Sequence, residues 1–360
     1  MKKFIALALA AAMATSLVAC GGSSAPAASS AAPAESAPAA EAAGEYDALE
    51  PVELILADSA APGAALPLFN ELLAEKVSAI TGGKLTLDVH SNSELGGDAD
   101  LLRQTQSGDI DMVGSQIAPV VSFVPELAVF DLPMVFATAD GDKIDAVLNG
   151  DSDFHAAVSE AYEKAGLHLL GFLQNATFRL TTSNTDLQTL ADFKGLQIRT
   201  MENSNHMAFW TAIGAQPTPL AWPEVYISLQ NGTIDAEENA ADTVAGANFQ
   251  EVQKYLACTN HILYCNQIAI NADTWANLDP AYQAALEQAM QEALDEMRPQ
   301  LGGIDADNKA KLEEGGMTII EYEPSFFEEI LALDGVQKLY SDIDAATNGL
   351  AATLQADLAA

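Results

Sequence analysis

The stretch Lys194–Asn239 reads KGLQIRTMENSNHMAFWTAIGAQPTPLAWPEVYISLQNGTIDAEEN. Gly195 closes a short helical turn that ends at Lys194. Leu196 and Ile198 alternate with Gln197 and Arg199, the two-residue period of a strand. Arg199 is therefore expected at the carboxyl end of that strand. A helix follows, with Met207, Trp210 and Ile213 three apart, and Gly214 ends it. Pro223 suits the first turn of the next helix, where its missing N–H is not needed. Asn231-Gly232 stops that helix, and a second strand is predicted over Thr233–Ala236. It would deliver Glu237, Glu238 and Asn239 at its carboxyl end. Ligands of open α/β sheets bind outside those ends, so an arginine and an asparagine are aimed at one crevice.

The motifs in this stretch are G-L-Q-I-R at 195–199, G-A-Q-P-T-P at 214–219, E-V-Y at 224–226 and L-Q-N-G-T-I-D-A-E-E-N at 229–239. Flanking them are S-N-S-E-L-G-G at 91–97, F-V-P-E-L at 123–127, L-P-M-V-F at 132–136 and T-N-H at 259–261. In this order they resemble the DctP-type substrate-binding proteins of TRAP transporters, over roughly residues 50 to 350. The resemblance implies an α/β fold of two periplasmic-binding-protein-like domains. It also implies a ligand cleft between them and a long helix spanning both.

A chain of 360 residues suggests about two domains, since one core rarely grows past ~250 residues. Fifteen Lys plus Arg stand against 51 Asp plus Glu, a formal net charge of -36. Such a balance opposes nucleic acid and anionic membrane surfaces. An anionic ligand would be repelled at long range and would need local cations. Residues 1–19 read as a secretory signal, with Lys2 and Lys3 before the apolar run Phe4–Met13. Leu17-Val18-Ala19-Cys20 resembles a lipobox, which implies a diacylglycerol anchor on Cys20. The alternative is an ordinary cleavable signal with a stray cysteine. Residues 20–45 are Ala, Pro, Ser, Gly and Glu, a composition that cannot build a core and reads as a flexible tether.

Strands are predicted at Val52–Ala57, Lys84–Val89 and Ile110–Val113. Helices are predicted between them at Ala65–Ile80 and Asp98–Ser107, the latter capped by Asp98. This β-α-β-α-β order is the doubly wound pattern. Asp142–Ala165 reads as helical and His168–Leu173 as a strand. Thr259–Ile270 reads as β-rich. Pro280–Glu314 reads as one long helix, broken softly at Pro299 and Gly302-Gly303. A late strand at Met317–Glu321 and a helical tail from Pro324 complete the chain. The first domain is expected over 46–176 and 265–304, the second over 177–264 and 305–360.

Arg199 is the first binding candidate. A guanidinium holds a planar carboxylate with two parallel hydrogen bonds, which lysine cannot do. By position alone a structural salt bridge is an equal alternative, and the resemblance implies the carboxylate clamp. Arg179 matches a second cationic contact in sialic-acid-type members, and a domain-interface ion pair competes with that reading. Asn239 matches the family's asparagine after the D-x-x-E stretch. Trp222 replaces a commoner Phe and would pack over the ligand, or simply in the core. Glu202 aligns with a polar position near the ligand and could instead serve the helix N-terminus. In the other domain Asp58, Asp98, Ser115 and Gln116 follow strands or begin helices facing the cleft. Each could equally be a capping or turn residue.

His90, His155, His168, His206 and His261 are scattered, without H-E-x-x-H or zinc-ligand spacing. They read as surface or satisfied core residues. No G-x-S-x-G elbow and no Walker loop occurs. Glu237 and Glu238 could mimic a carboxylate pair, but strand neighbours point to opposite faces. Cys258 and Cys265, if on one extended strand, lie ~23 Å apart and cannot bridge. No metal and no cofactor is expected. The expectation is a monomeric, lipid-anchored, extracytoplasmic receptor, not an enzyme. It would capture a small organic anion, such as a dicarboxylate or sugar acid, and deliver it to the membrane permease. A receptor feeding a sensor system, or a secreted hydrolase, are the alternatives.

Overall fold

The structure is a computed structural model that describes residue 44, residues 46–174 and residues 176–360. The signal 1–19, Cys20 and nearly all of the tether lie outside the described residues. Eleven strands occur among the described residues. They are β1 (Val52–Ala57), β2 (Leu85–His90), β3 (Met112–Gln116), β4 (Leu167–Leu173), β5 (Leu180–Ser183), β6 (Gln197–Thr200), β7 (Gln216–Pro219), β8 (Ala236–Asn239), β9 (Tyr255–Ala257), β10 (Asn266–Asn271) and β11 (Thr318–Ile320). They form two sheets, each the centre of one lobe. The first has the order β2-β1-β3-β10-β4, and the second β11-β9-β5-β8-β6-β7. In the first, β1 runs parallel to β2 and β3, while β10 is antiparallel to both its neighbours. In the second, β6 runs parallel to β7 and β8, and β5 is antiparallel to β8 and β9.

Helices cover the sheets where the apolar period demands it. In Ala65–Thr81 the residues Leu66, Phe69, Leu73 and Val77 are buried along one face. Each such side chain contributes roughly 2 kcal/mol of burial. The helix stops at Gly82, whose φ of 62° is open to glycine at no steric cost and whose N–H returns to the Ser78 carbonyl.

The chain passes between the two sheets three times. Residues 174–179 lead from β4 to β5, and residues 258–265 lead from β9 back to β10. These two segments run side by side: Arg179 N donates to Ile262 O at 2.9 Å and Tyr264 N to Thr177 O at 2.8 Å. The third crossing is the helix Pro280–Glu314, 35 residues long and continuous. The expected break at Pro299 and Gly302-Gly303 is absent. Burial explains this: Tyr282, Ala285, Leu286, Ala289, Met290, Ala293, Leu294, Met297 and Leu301 pack into the first lobe's core, and Leu312 packs into the second's. Buried side chains on both sides of Pro299 keep the helix continuous through the missing hydrogen bond. Arg298, beside it, pairs with Asp145 at 2.8 Å and Asp142 at 2.9 Å.

Other boundaries also move. The predicted strand Thr233–Ala236 begins only at its last residue, Thr233–Asp235 being non-strand, and β8 holds Glu237, Glu238 and Asn239 within it, all buried. Polar letters hid this strand, because a buried carboxylate in a sheet needs partners that only the fold supplies. β3 runs to Gln116, so Ser115 lies inside the strand. Asp142–Ala165 is two helices, Gly141–Leu148 and Asp153–Lys164, capped by the Asp140 and Ser152 side chains. Gly97 is the N-cap of Asp98–Ser107, and Asp98 is its first helical residue. The last helix, Leu350–Ala359, packs on Gly141–Leu148 and Asp153–Lys164 in the first lobe, where Asp357 accepts from Phe154 N at 2.9 Å.

Candidate ligand cleft

Between the lobes lies a narrow cavity. Ser59, Ala60, Leu66, Asp98 and Gln116 line it from the first lobe. Met201, Trp222, Asn239 and Thr243 line it from the second, and Asn266 stands where the chain returns. Four residues expected from the sequence thus meet here: Asp98, Gln116, Trp222 and Asn239.

Arg199 is the third residue of β6 and is 2% exposed. Its Nε donates to the Leu220 carbonyl at 2.8 Å. The guanidinium carbon stands 5.8 Å from the centre of the ring of Trp222, which lines the cavity, while Arg199 itself does not line it. Nη1 is buried and has no hydrogen-bond partner. Burial draws the guanidinium below its ordinary pKa, with Glu237 and Glu238 pulling the other way.

Arg179 is different. It is buried at the end of the first crossing segment, and its guanidinium is fully engaged. Nε donates to Glu238 Oε2 and Nη1 to Gln116 Oε1. Nη2 donates to the Glu238 carbonyl at 2.6 Å and to Glu238 Oε1 at 3.1 Å. Desolvation works against this charge, but the Glu238 carboxylate outweighs it and raises the Arg179 pKa. Gln116 Nε2 donates to Asn239 Oδ1 at 3.2 Å, so Gln116 links the first lobe to both Arg179 and Asn239.

Behind Arg179 lies a buried charge network that the sequence did not disclose. Glu238 faces His261 Nε2 at 3.2 Å and His206 Nδ1 at 3.4 Å, the latter outside hydrogen-bond geometry. His206 Nε2 meets Asp131 Oδ1 at 3.1 Å. Asp131 Oδ2 also accepts from Asn203 Nδ2 at 2.8 Å and Asn205 Nδ2 at 2.9 Å. Burial disfavours charge on His206, yet Asp131 and Glu238 push its pKa up to about 9. Burial lowers that of His261. Burial also disfavours the Glu238 carboxylate, but Arg179 and the two histidines hold it well below its usual range. Glu237, on the other face of β8, is pushed up to about 7 by burial, which Arg199 only partly offsets.

The remaining candidates serve structure. Asp58 accepts from Asn70 Nδ2 at 2.8 Å, Ser91 Oγ at 2.6 Å and Ala60 N at 2.9 Å, which ties down the loop after β1. Ser115 Oγ accepts from Gln267 Nε2 at 3.0 Å inside the first sheet. Glu202 is exposed and does not line the cavity. Asp98, by contrast, does line it: one carboxylate oxygen accepts from Ser59 Oγ at 2.6 Å, and burial pushes its pKa up to about 6. Ser59, Ala60, Leu66, Met201, Thr243 and Asn266 were not expected. Ser59 and Ala60 follow β1 after Asp58, a position from which they could have been read.

Among the described residues no group of three His, Cys, Asp or Glu side chains could hold a metal ion. No described helix is long and apolar enough to cross a membrane. Cys258 and Cys265 are buried free thiols.

Comparison with known proteins follows from this geometry. Residues 56–342 match the family described as bacterial extracellular solute-binding protein, family 7, or DctP. The C4-dicarboxylate-binding periplasmic protein DctP of Rhodobacter capsulatus is 31% identical over 251 residues, 68% of this chain and 73% of that one. The sialic acid-binding periplasmic protein SiaP of Vibrio cholerae is 28% identical over 275 residues, 76% of this chain and 83% of that one. A TRAP periplasmic solute-binding protein of Roseobacter denitrificans, solved with bound L-galactonate, superposes with a TM-score of 0.76 at 28% identity. That match covers 84% of this chain and 99% of the other. With two lobes about one cleft and a family match across 56–342, this chain belongs to the DctP family of bacterial extracellular solute-binding proteins.

Proposed function

We propose that this extracytoplasmic receptor captures a small organic acid by its carboxylate on Arg199 and delivers it to a TRAP permease. The observation that carries the reading is the contrast between the two buried arginines. Arg179 is neutralised by Glu238. Arg199 forms no ion pair among the described residues and keeps a buried Nη1 without a partner, with its guanidinium carbon 5.8 Å from the ring centre of the cavity-lining Trp222. A buried guanidinium with free donor capacity is a site for an anion that arrives from outside. Relatives named for sialic acid, C4-dicarboxylates and L-galactonate all take carboxylates, which supports the class.

Within that class the cavity favours a hydroxy acid. Asp98 presents a carboxylate of which one oxygen accepts from Ser59, and a ligand hydroxyl would donate to the other. Gln116 and Asn239 offer amides to further hydroxyls, and Trp222 covers an apolar face. The protein performs no chemistry in this reading and acts as a monomer with its domains divided near 177, 265 and 305, the last helix Leu350–Ala359 returning to the first. The lipobox-like Leu17-Val18-Ala19-Cys20 supports a lipid anchor on Cys20. The test is a thermal-shift screen against a panel of organic acids, neutral sugars and amino acids, since a ligand raises the melting temperature by mass action. Carboxylates are expected to be the hits. Hits confined to neutral sugars would end the reading.

A further inference from the structure

Helix Ala65–Thr81 begins without a cap of its own. Its N-cap is Ala64, which has no side-chain acceptor, and its first turn holds no acidic residue. The missing acceptor comes from the other lobe. Asp242, in the helix Ala241–Gly246 that follows β8, places Oδ2 2.9 Å from Ala65 N, across 177 residues of sequence. Its second oxygen accepts from Thr243 N at 2.7 Å and Thr243 Oγ1 at 3.3 Å. Thr243 Oγ1 in turn meets Tyr264 OH at 2.8 Å, on the returning crossing segment. Asp242, Thr243 and Tyr264 are all buried. Four residues on, the same helix abuts the first lobe again: a Cβ on Gly246 would lie 3.4 Å from Ala61 Cβ and 3.6 Å from Pro62 O.

We infer that Asp242 is an interlobe clasp, a positioning residue that holds the cleft closed and so sets ligand affinity without touching the ligand. The inference rests on the solute-binding reading above. Asp242 does not line the cavity, whereas its neighbour Thr243 does, opposite Ala60 and Leu66 of the first lobe. A carboxylate at a helix N-terminus takes both the orphan N–H and the positive end of the helix dipole. Opening the cleft would separate Asp242 from Ala65 and return both to water. The closed form therefore gains one charge-assisted hydrogen bond that the open form lacks. Affinity for a ligand that binds the closed form scales with the fraction of protein that is closed. A charged hydrogen bond of ordinary strength shifts that fraction by about ten- to hundred-fold.

The experiment is calorimetric titration and stopped-flow dissociation with the strongest hit of the acid panel, on wild type, Asp242→Asn and Asp242→Ala. Asp242→Asn is isosteric and guards against a misfolded Ala variant. Both are expected to bind about ten- to hundred-fold more weakly, with the loss in faster dissociation. Both should reach the wild-type radius of gyration in small-angle X-ray scattering once saturated. A purely structural role would lower the melting temperature of the unliganded protein and leave the dissociation rate alone. Wild type binding an acid while both variants bind within twofold of it overturns the clasp. Wild type binding no acid removes the solute-binding reading, and the clasp with it.

Discussion

Arg199 and Glu237 face each other across neighbouring strands, paired in the parallel register of β6 and β8, yet they form no ion pair. The guanidinium is committed through Nε to the Leu220 carbonyl, and Glu237 interacts instead with Asn239 Nδ2 at 3.3 Å. Glu237 softens the desolvation of Arg199 from a distance and leaves its Nη1 unpartnered.

That arrangement separates the two arginines experimentally. Arg199→Ala would leave a ligand carboxylate desolvated without a partner, at a cost of ~2–5 kcal/mol, or roughly thirty- to several-thousand-fold in affinity. Arg199→Lys keeps charge without the fork and should also bind poorly. Arg179→Ala should act on the fold, because it strips the buried Glu238 of its cation, a loss of ~3–5 kcal/mol. Calorimetry beside a circular dichroism melt reads both. Arg199→Ala binding within threefold of wild type while folded would make that arginine structural.

Asp98 sets a selectivity. Galactonate and galactarate share a carbon chain, and galactarate carries a second carboxylate. Wild type is expected to prefer the monoacid by about ten- to hundred-fold at pH 8, from like-charge repulsion in a partly buried cleft. The preference should shrink below about pH 6, where Asp98 becomes protonated. Asp98→Asn should level it at every pH. An unchanged ratio in that variant would remove Asp98 from the site.

The His206–Asp131 contact makes a prediction about stability. The folded-state pKa of His206, about 9, lies above its ordinary 6.5. Stability from the charged imidazole is therefore fully present below pH 6.5 and is lost as pH rises through about 9. The loss is on the order of 3 kcal/mol, and chemical denaturation between pH 6.5 and 9.5 measures it. Glu237 acts lower on the scale: its ionisation costs stability between 4.5 and about 7. In Asp131→Asn the alkaline slope should flatten while the acidic one stays. Persistence of the alkaline slope would assign it to another group.

Lipidation is tested by Cys20→Ser. This variant should lose lipid labelling and be released as soluble protein. Membrane retention with the signal still cleaved would refute the anchor.

The periodicities of sequence legible here were those with local causes. Apolar spacing located the helix Ala65–Thr81, Gly82 marked its end, and alternation in Leu196–Thr200 located β6 with Arg199 in it. The ordered motifs of 195–239 were enough to indicate the family and two of the cavity's residues, Trp222 and Asn239, while strand ends and helix starts of the other domain pointed to Asp98 and Gln116. What they could not show was which charges meet. Arg179 and Glu238 are 59 residues apart, and His206 and Asp131 are 75 apart. One-dimensional spacing has no record of such pairs, because they form only when two sheets and the segments that cross between them are packed. The same limit hid the strand character of Glu237–Asn239, since carboxylates are stable in a buried strand only once distant cations surround them. Arg179 and Arg199 look alike in sequence, each a lone arginine close to a strand. Only the tertiary structure decided that the first is paired with Glu238 while the second keeps a buried Nη1 without a partner, because which charges meet depends on how the sheets pack.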